Sequence, residues 1–156
     1  MIKFEKISLK QYLGDGGSED SFEGIALPKR ATAGSAGYDF FAPVSFTLSP
    51  GESIKILTGI RCKMDKDFAL LIFPRSGLGF KYSLMLNNTV GIIDSDYYFA
   101  DNEGHIQIKM TNRGDKVLNV EKGSAFAQGV FLKYYLTDDD DSSVQRKGGF
   151  GSTDNK

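Results

Sequence analysis

The stretch "HIQIKMTN", residues 105–112, decides the fold class. Ile106, Ile108 and Met110 fall on one face, and Gln107, Lys109 and Thr111 on the other. That period of two belongs to a half-buried β-strand, not to a helix. Outward from it the same signal recurs at short intervals. "SIKIL" (53–57) alternates, "ALLIF" (69–73) is an apolar run of strand length, and "GVFLKYYL" (129–136) is rich in β-formers. Ile2 and Phe4 alternate with polar neighbours at the start of the chain. Between these runs lie the turn signals "SPGES", "DKD", "NRGDK" and "EKGS". Many short strands with such punctuation predict an all-β sandwich or jelly roll. At most one short helix is expected, over "SGLGFKYSL" (76–84), and its two glycines weaken it.

The chain has 156 residues, which one domain accommodates with a sizeable core. Residues 1–136 read as that domain, with "YLGDGGSEDSFEG" (12–24) as an exposed loop insertion. Residues 137–156 read as an acidic linker, "TDDDDSSVQ", followed by a glycine-rich, mobile tail. The net charge of −1 excludes general attraction to nucleic-acid polymers or acidic membranes, so any bound anion needs a few local cations. The lone Cys62 excludes an internal disulfide framework and fits a reducing compartment. "MIKFEKISLK" lacks a signal-peptide apolar region, and no run approaches membrane-spanning length, so a cytoplasmic protein is expected.

Five stretches interrupt the strand-and-turn pattern. In "FPRSGLG", Arg75, Ser76 and Gly77 follow an apolar strand, where a guanidinium, a hydroxyl and backbone N–H groups suit a phosphate. An ordinary surface ion pair would give the same residues. In "NNTVGIIDSDYYF", a carboxylate at a strand end, Asp94, suits activation of a water, and Tyr97 suits packing on a sugar. An acidic hairpin turn would read alike. Asp39 in "SAGYDFFA" either holds a metal ion's water shell or caps a turn. Gln128 in "GSAFAQGVF" is either a satisfied core amide or a phosphate donor. Phe150, between Gly149 and Gly151, is either a stray aromatic or a ring on a bendable strap.

In this order, "ATAGSAGYDFFA", "FPRSGLG", "NNTVGIIDSDY", "GSAFAQ" and "RKGGFGST" resemble the five motifs of the trimeric dUTP pyrophosphatase (dUTPase) family, from about Leu27 to Thr153. The resemblance implies a distorted jelly roll and a homotrimer with shared active sites, hydrolysing dUTP to dUMP and pyrophosphate. It implies that Asp94 activates the water that attacks the α-phosphorus, with Arg75, Ser76, Gly77 and Gln128 on the phosphates. Asp39 would reach Mg²⁺ through water. Asn88, Gly91 and Ile92 would read uracil, and Tyr97 would lie under the deoxyribose. In the tail, Arg146, Gly151, Ser152 and Thr153 would meet the phosphates, and Phe150 would close over the base. The linker could span about 30 Å, enough to reach a neighbouring subunit.

The sequence departs from the family pattern in places. "YFADNE" lengthens the hairpin after Tyr97, "GSAFAQ" lacks an acid and an arginine common in the fourth motif, and Asp154 adds charge beside the phosphate contacts. Arg146 sits one residue nearer Phe150 than is usual for the family. A bifunctional dCTP deaminase–dUTPase shares the fold, but "RSGLGFKYSL" has no second arginine and "HIQIKM" no acid. A nucleotide-gated regulatory binder, docking a protein partner through residues 12–24, is the other alternative.

Overall fold

The computed structural model describes residues 1–143 and Gly148, so Arg146, Phe150, Gly151, Ser152 and Thr153 lie outside the described residues. Strand β1 (Lys3–Lys6) is followed by helices α1 (Leu9–Gly14) and α2 (Glu19–Glu23). Then come β2 (Lys29–Arg30), β3 (Tyr38–Phe41), β4 (Phe46–Leu48), β5 (Ser53–Leu57) and β6 (Ile60–Lys63). Strand β7 (Phe68–Pro74) leads into α3 (Ser76–Tyr82), and β8 (Leu84–Leu86) and β9 (Gly91–Ile93) flank a tight turn. After a 3₁₀ turn, Ser95–Phe99, the chain ends its regular structure in β10 (Gln107–Asn112), β11 (Leu118–Val120) and β12 (Ala125–Lys133).

The strands pair antiparallel in a five-stranded sheet of order β2-β3-β12-β7-β9, a three-stranded sheet β5-β10-β8, and the pairs β1-β6 and β11-β4. This is the mostly-β, jelly-roll architecture expected. The alternation in "HIQIKMTN" does its predicted work: Ile106, Ile108 and Met110 are buried, and β10 pairs with β5 and β8. Between the sheets lie Phe40, Leu70, Ile72, Leu118 and Phe126, each almost fully buried. Burial of a side chain of that size contributes about 1.5–3 kcal/mol. Among the described residues no helix is long and apolar enough to cross a membrane.

Two expectations need correction. Among the described residues there are three short α-helices where at most one was expected, and only α3 falls in the predicted place. Residues 12–24 are also not simply an exposed loop. Ser8 caps α1 by accepting from Gln11 N, and Ser18 and Ser21 form a reciprocal capping box on α2. Tyr12 is 2 % exposed, packs on Phe22, and its hydroxyl lies 3.1 Å from Ser21 Oγ. Gly17 permits this, because a Cβ there would sit 2.2 Å from the Tyr12 ring. Helices this short are marginal alone, so the buried tyrosine and the caps hold them. At the other end, "GVFLKYYL" leaves the ladder at Lys133, and Tyr135 and Leu136 are exposed.

Candidate active site

The strand order brings the first group of candidates together. β12 lies between β3 and β7, placing Gln128 opposite Asp39 on one side and Phe73 on the other. β7 ends at Pro74, and Arg75 turns the chain into α3, whose first residues are Ser76 and Gly77. The Arg75 guanidinium lies 3.6 Å from Asp39 Oδ2. Gln128 Nε2 donates to the Pro74 carbonyl at 3.1 Å, which leaves its amide oxygen beside Gly37. A Cβ on Gly37 would stand 2.5 Å from that oxygen. Arg75 is the N-cap of α3, yet its side chain makes no capping hydrogen bond, and about half of it is exposed. The end of the sheet thus presents one guanidinium, one carboxylate and one amide in a partly open setting.

The second group sits on the β8–β9 hairpin and the turn beyond it. Asn88, Gly91, Ile92 and Ile93 line a pocket of about 500 Å³ with Leu86 and Ile108. Thr89 N donates to Leu86 O and Val90 N to Asn88 O, and Thr89 adopts a left-handed backbone. This bent turn places main-chain groups along the pocket wall. Gly91 stands close against Ile72, where a Cβ would lie 3.1 Å from the Ile72 Cβ. Asp94 follows β9 as a half-buried N-cap of the 3₁₀ turn. Tyr97 is 4 % exposed; its hydroxyl donates to the His105 carbonyl and accepts from Asn102 Nδ2, both at 2.8 Å.

The two groups lie apart. Ile93, the residue before Asp94, pairs with Leu70, five residues short of Arg75. At ~3.3 Å per residue that is about 16 Å along the strand. Within one chain Asp94 and Arg75 therefore stand near opposite ends of β7. Among the described residues no three His, Cys, Asp or Glu groups could hold a metal ion directly. Asp39 offers a single carboxylate beside a guanidinium, a donor set that suits contact with a cation's water shell rather than direct ligation.

Sequence reasoning missed two features. Lys55 and Lys109 line the pocket and face each other in register across β5 and β10; the alternation of "HIQIKMTN" already placed Lys109 outward. His105 is fully buried, accepts from Gly59 N at 2.9 Å through Nε2, and donates through Nδ1 to Asp15 Oδ2 at 2.6 Å. An Nε2 that accepts carries no proton, so the imidazole is neutral with its hydrogen on Nδ1. Burial pushes its pKa below the ordinary histidine value, against the opposing pull of Asp15. Burial also works against the Asp15 carboxylate, but hydrogen bonds from His105 and Gln11 prevail and hold it below the usual range. No signal in the sequence paired residues 90 positions apart.

The dUTPase family model matches residues 23–154. The deoxyuridine 5′-triphosphate nucleotidohydrolase of Lactococcus lactis subsp. lactis is 43 % identical over 133 residues, covering 83 % of this chain and 89 % of that protein. The crystal structure of a dUTPase from Streptococcus mutans superposes with a TM-score of 0.68 at 38 % identity, over 86 % of this chain and 98 % of that one. A mutant dUTPase from Staphylococcus aureus phage phi11, described with a structural Mg(II) ion, shares the fold at 19 % identity with a TM-score of 0.66, over 96 % of this chain and 98 % of that one.

Proposed function

The chain belongs to the dUTPase family, and from that premise we propose that it hydrolyses dUTP to dUMP and pyrophosphate in sites shared between the subunits of a homotrimer. The observation that carries the shared site is the separation of Asp94 from Arg75 along one strand pair. A neighbouring copy supplies what each chain lacks, and the three-fold closure follows the family.

Within such a site the uracil enters the pocket behind the β8–β9 hairpin, read by Asn88 and the main chain at Gly91 and Ile92. Tyr97 lies beneath the deoxyribose, where its buried ring leaves no room for a 2′-hydroxyl. Arg75, Ser76, Gly77 and Gln128 receive the phosphates, and the guanidinium neutralises charge that grows as the α–β bridging oxygen departs. Asp94 takes a proton from the attacking water, whose oxygen closes on the α-phosphorus in line with the leaving pyrophosphate. Mg²⁺, when bound with the triphosphate, would supply further charge neutralisation, and Asp39 is the residue that would hold it, through water. Arg146, Phe150, Gly151, Ser152 and Thr153 complete the site as a closing tail, which excludes water and gates turnover. A cytoplasmic setting agrees with the single buried thiol of Cys62. Docking of a protein partner through residues 12–24 has less to support it, since Tyr12 and Ser21 of that segment face the core.

Pyrophosphate release from dUTP, dCTP, dTTP and UTP, with and without Mg²⁺, tests the reaction; selective, Mg²⁺-stimulated release from dUTP is expected. Subunit mixing tests the shared site. Asp94→Asn and Arg75→Ala are each expected to be nearly inactive alone, and to regain activity when unfolded and refolded together. Failure of the mixture to regain any activity, with mixed trimers present, would refute the shared site.

A further inference from the structure

Helices α1 and α2 and the connection from Tyr97 to His105, expected from the sequence as a lengthened hairpin and formed here by tight turns, are fastened to each other. Glu103 at the hairpin tip accepts from both Ser8 N, at 2.7 Å, and Ser8 Oγ, at 2.6 Å, where α1 begins. These bonds hold its carboxyl below the usual range and secure a left-handed backbone (φ 58°) followed by Gly104 at φ 72°. At the far end of α1, Asp15 holds the buried His105 ring. Between those two ties the hairpin is closed by Glu103 N to Ala100 O, Gly104 N to Asn102 Oδ1 and His105 N to Asn102 O.

The groups that hold the Tyr97 hydroxyl, Asn102 Nδ2 and the His105 carbonyl, both belong to this fastened hairpin. His105 is clamped at every polar position: backbone N to Asn102, Nε2 to Gly59, Nδ1 to Asp15, carbonyl to Tyr97. Ile106, next in line, is fixed by its N–H to Ile60 O and its carbonyl to Thr58 Oγ1. The hydroxyl of Tyr97 is therefore held by Asn102 and His105, and His105 in turn by Gly59 and Asp15.

We infer that Asp15, His105 and Glu103 are positioning residues for sugar selectivity: through the hairpin they hold Tyr97 close enough to exclude a ribose. This rests on the reading of Tyr97 as the floor of the sugar site. Discrimination against an added hydroxyl depends on a wall that does not yield, and a slackened hairpin lets the ring retreat. The substrate class affected is the ribonucleoside triphosphate with the same base, UTP.

The test compares kcat/KM for dUTP and UTP, alongside thermal unfolding, in the full-length protein. Asp15→Asn and Glu103→Gln are each expected to narrow the dUTP:UTP ratio by about twofold to tenfold, the range for one lost net hydrogen bond. The change should appear in KM more than in kcat. Asp20→Asn, on the same insertion but tied only to Lys122 at the surface, is expected to leave the ratio unchanged. Tyr97→Phe keeps the ring and loses the hydroxyl. It should narrow the ratio similarly, and adding Asp15→Asn to it should have little further effect, since both act through one contact. If Asp15→Asn and Glu103→Gln lower the unfolding temperature yet keep the wild-type ratio, while Tyr97→Leu collapses it, the inference is overturned and the sugar reading stands. If Tyr97→Phe and Tyr97→Leu both keep the ratio, the sugar reading itself fails.

Discussion

The two halves of the site are built on different physical terms. At the sheet end, Arg75, Asp39 and Gln128 form a loose charged cluster: the ion pair is 3.6 Å long, and the guanidinium is about half exposed. At the hairpin end, Tyr97 and His105 are buried and every polar group is hydrogen-bonded. The contrast suits what each half is proposed to recognise. A triphosphate is a flexible, highly charged chain, and adaptable groups held only by a long ion pair and one amide hydrogen bond lose little by waiting beside water. A base and a sugar differ from their rivals by single groups, and only a rigid wall turns such differences into selectivity.

The largest expected effect joins both halves. Asp94→Asn removes the proposed base but keeps the shape of the side chain, so kcat should fall by about 10²–10⁴ with dUTP still bound. Steady-state rates beside nucleotide binding measured by calorimetry check this; full turnover in the variant would remove Asp94 from the mechanism. Arg75→Lys sharpens the contrast. It keeps the charge but loses the planar fork, so kcat/KM should fall roughly tenfold or more while the unfolding temperature barely moves. A large loss of stability would mean that the sheet end is as rigid as the hairpin end, and the distinction would collapse.

Much of this was legible in the sequence, for identifiable reasons. The period of two in residues 105–112 survives as β10 because Ile106, Ile108 and Met110 have a core to face. The positions of Arg75 and Asp94 at strand ends follow from the apolar runs that precede them. Their separation was legible only through the family resemblance, which implies shared sites; the residues alone do not give it, because the order of motifs along a chain carries no distance between strand ends. Helices α1 and α2 were hidden by glycine and acidic residues that read as loop. Their stability comes from the burial of Tyr12, a tertiary event, and from serine caps that are common in turns as well. Tyr134–Leu136 err in the other direction: strong β-formers with no strand beside them in the chain described, so propensity has nothing to act on.

The smallest expected effect concerns the rigid half and depends on pH. His105 must stay neutral, because a proton on Nε2 would meet the Gly59 N–H that it now accepts. Burial depresses its pKa, Lys55 adds to the depression, and Asp15 and Glu103 oppose it. The unfolded chain therefore binds this proton first as pH falls. Stability from this residue is fully present above the ordinary value of 6.5 and declines as pH drops through 6.5 toward the lower folded value, below which the loss levels off. Asp15 adds a second decline further down. Its carboxylate is stabilised in the fold, so that contribution is present above 3.8 and is lost as pH falls through its depressed folded value. His105→Gln keeps one acceptor for Gly59 and one donor for Asp15 but does not titrate. Urea unfolding midpoints between pH 8 and 5 should therefore slope downward in the wild type and flatten in the variant. Identical slopes in the two proteins would show that the imidazole shares its proton affinity between folded and unfolded states, and that the hairpin end is not held by a neutral histidine.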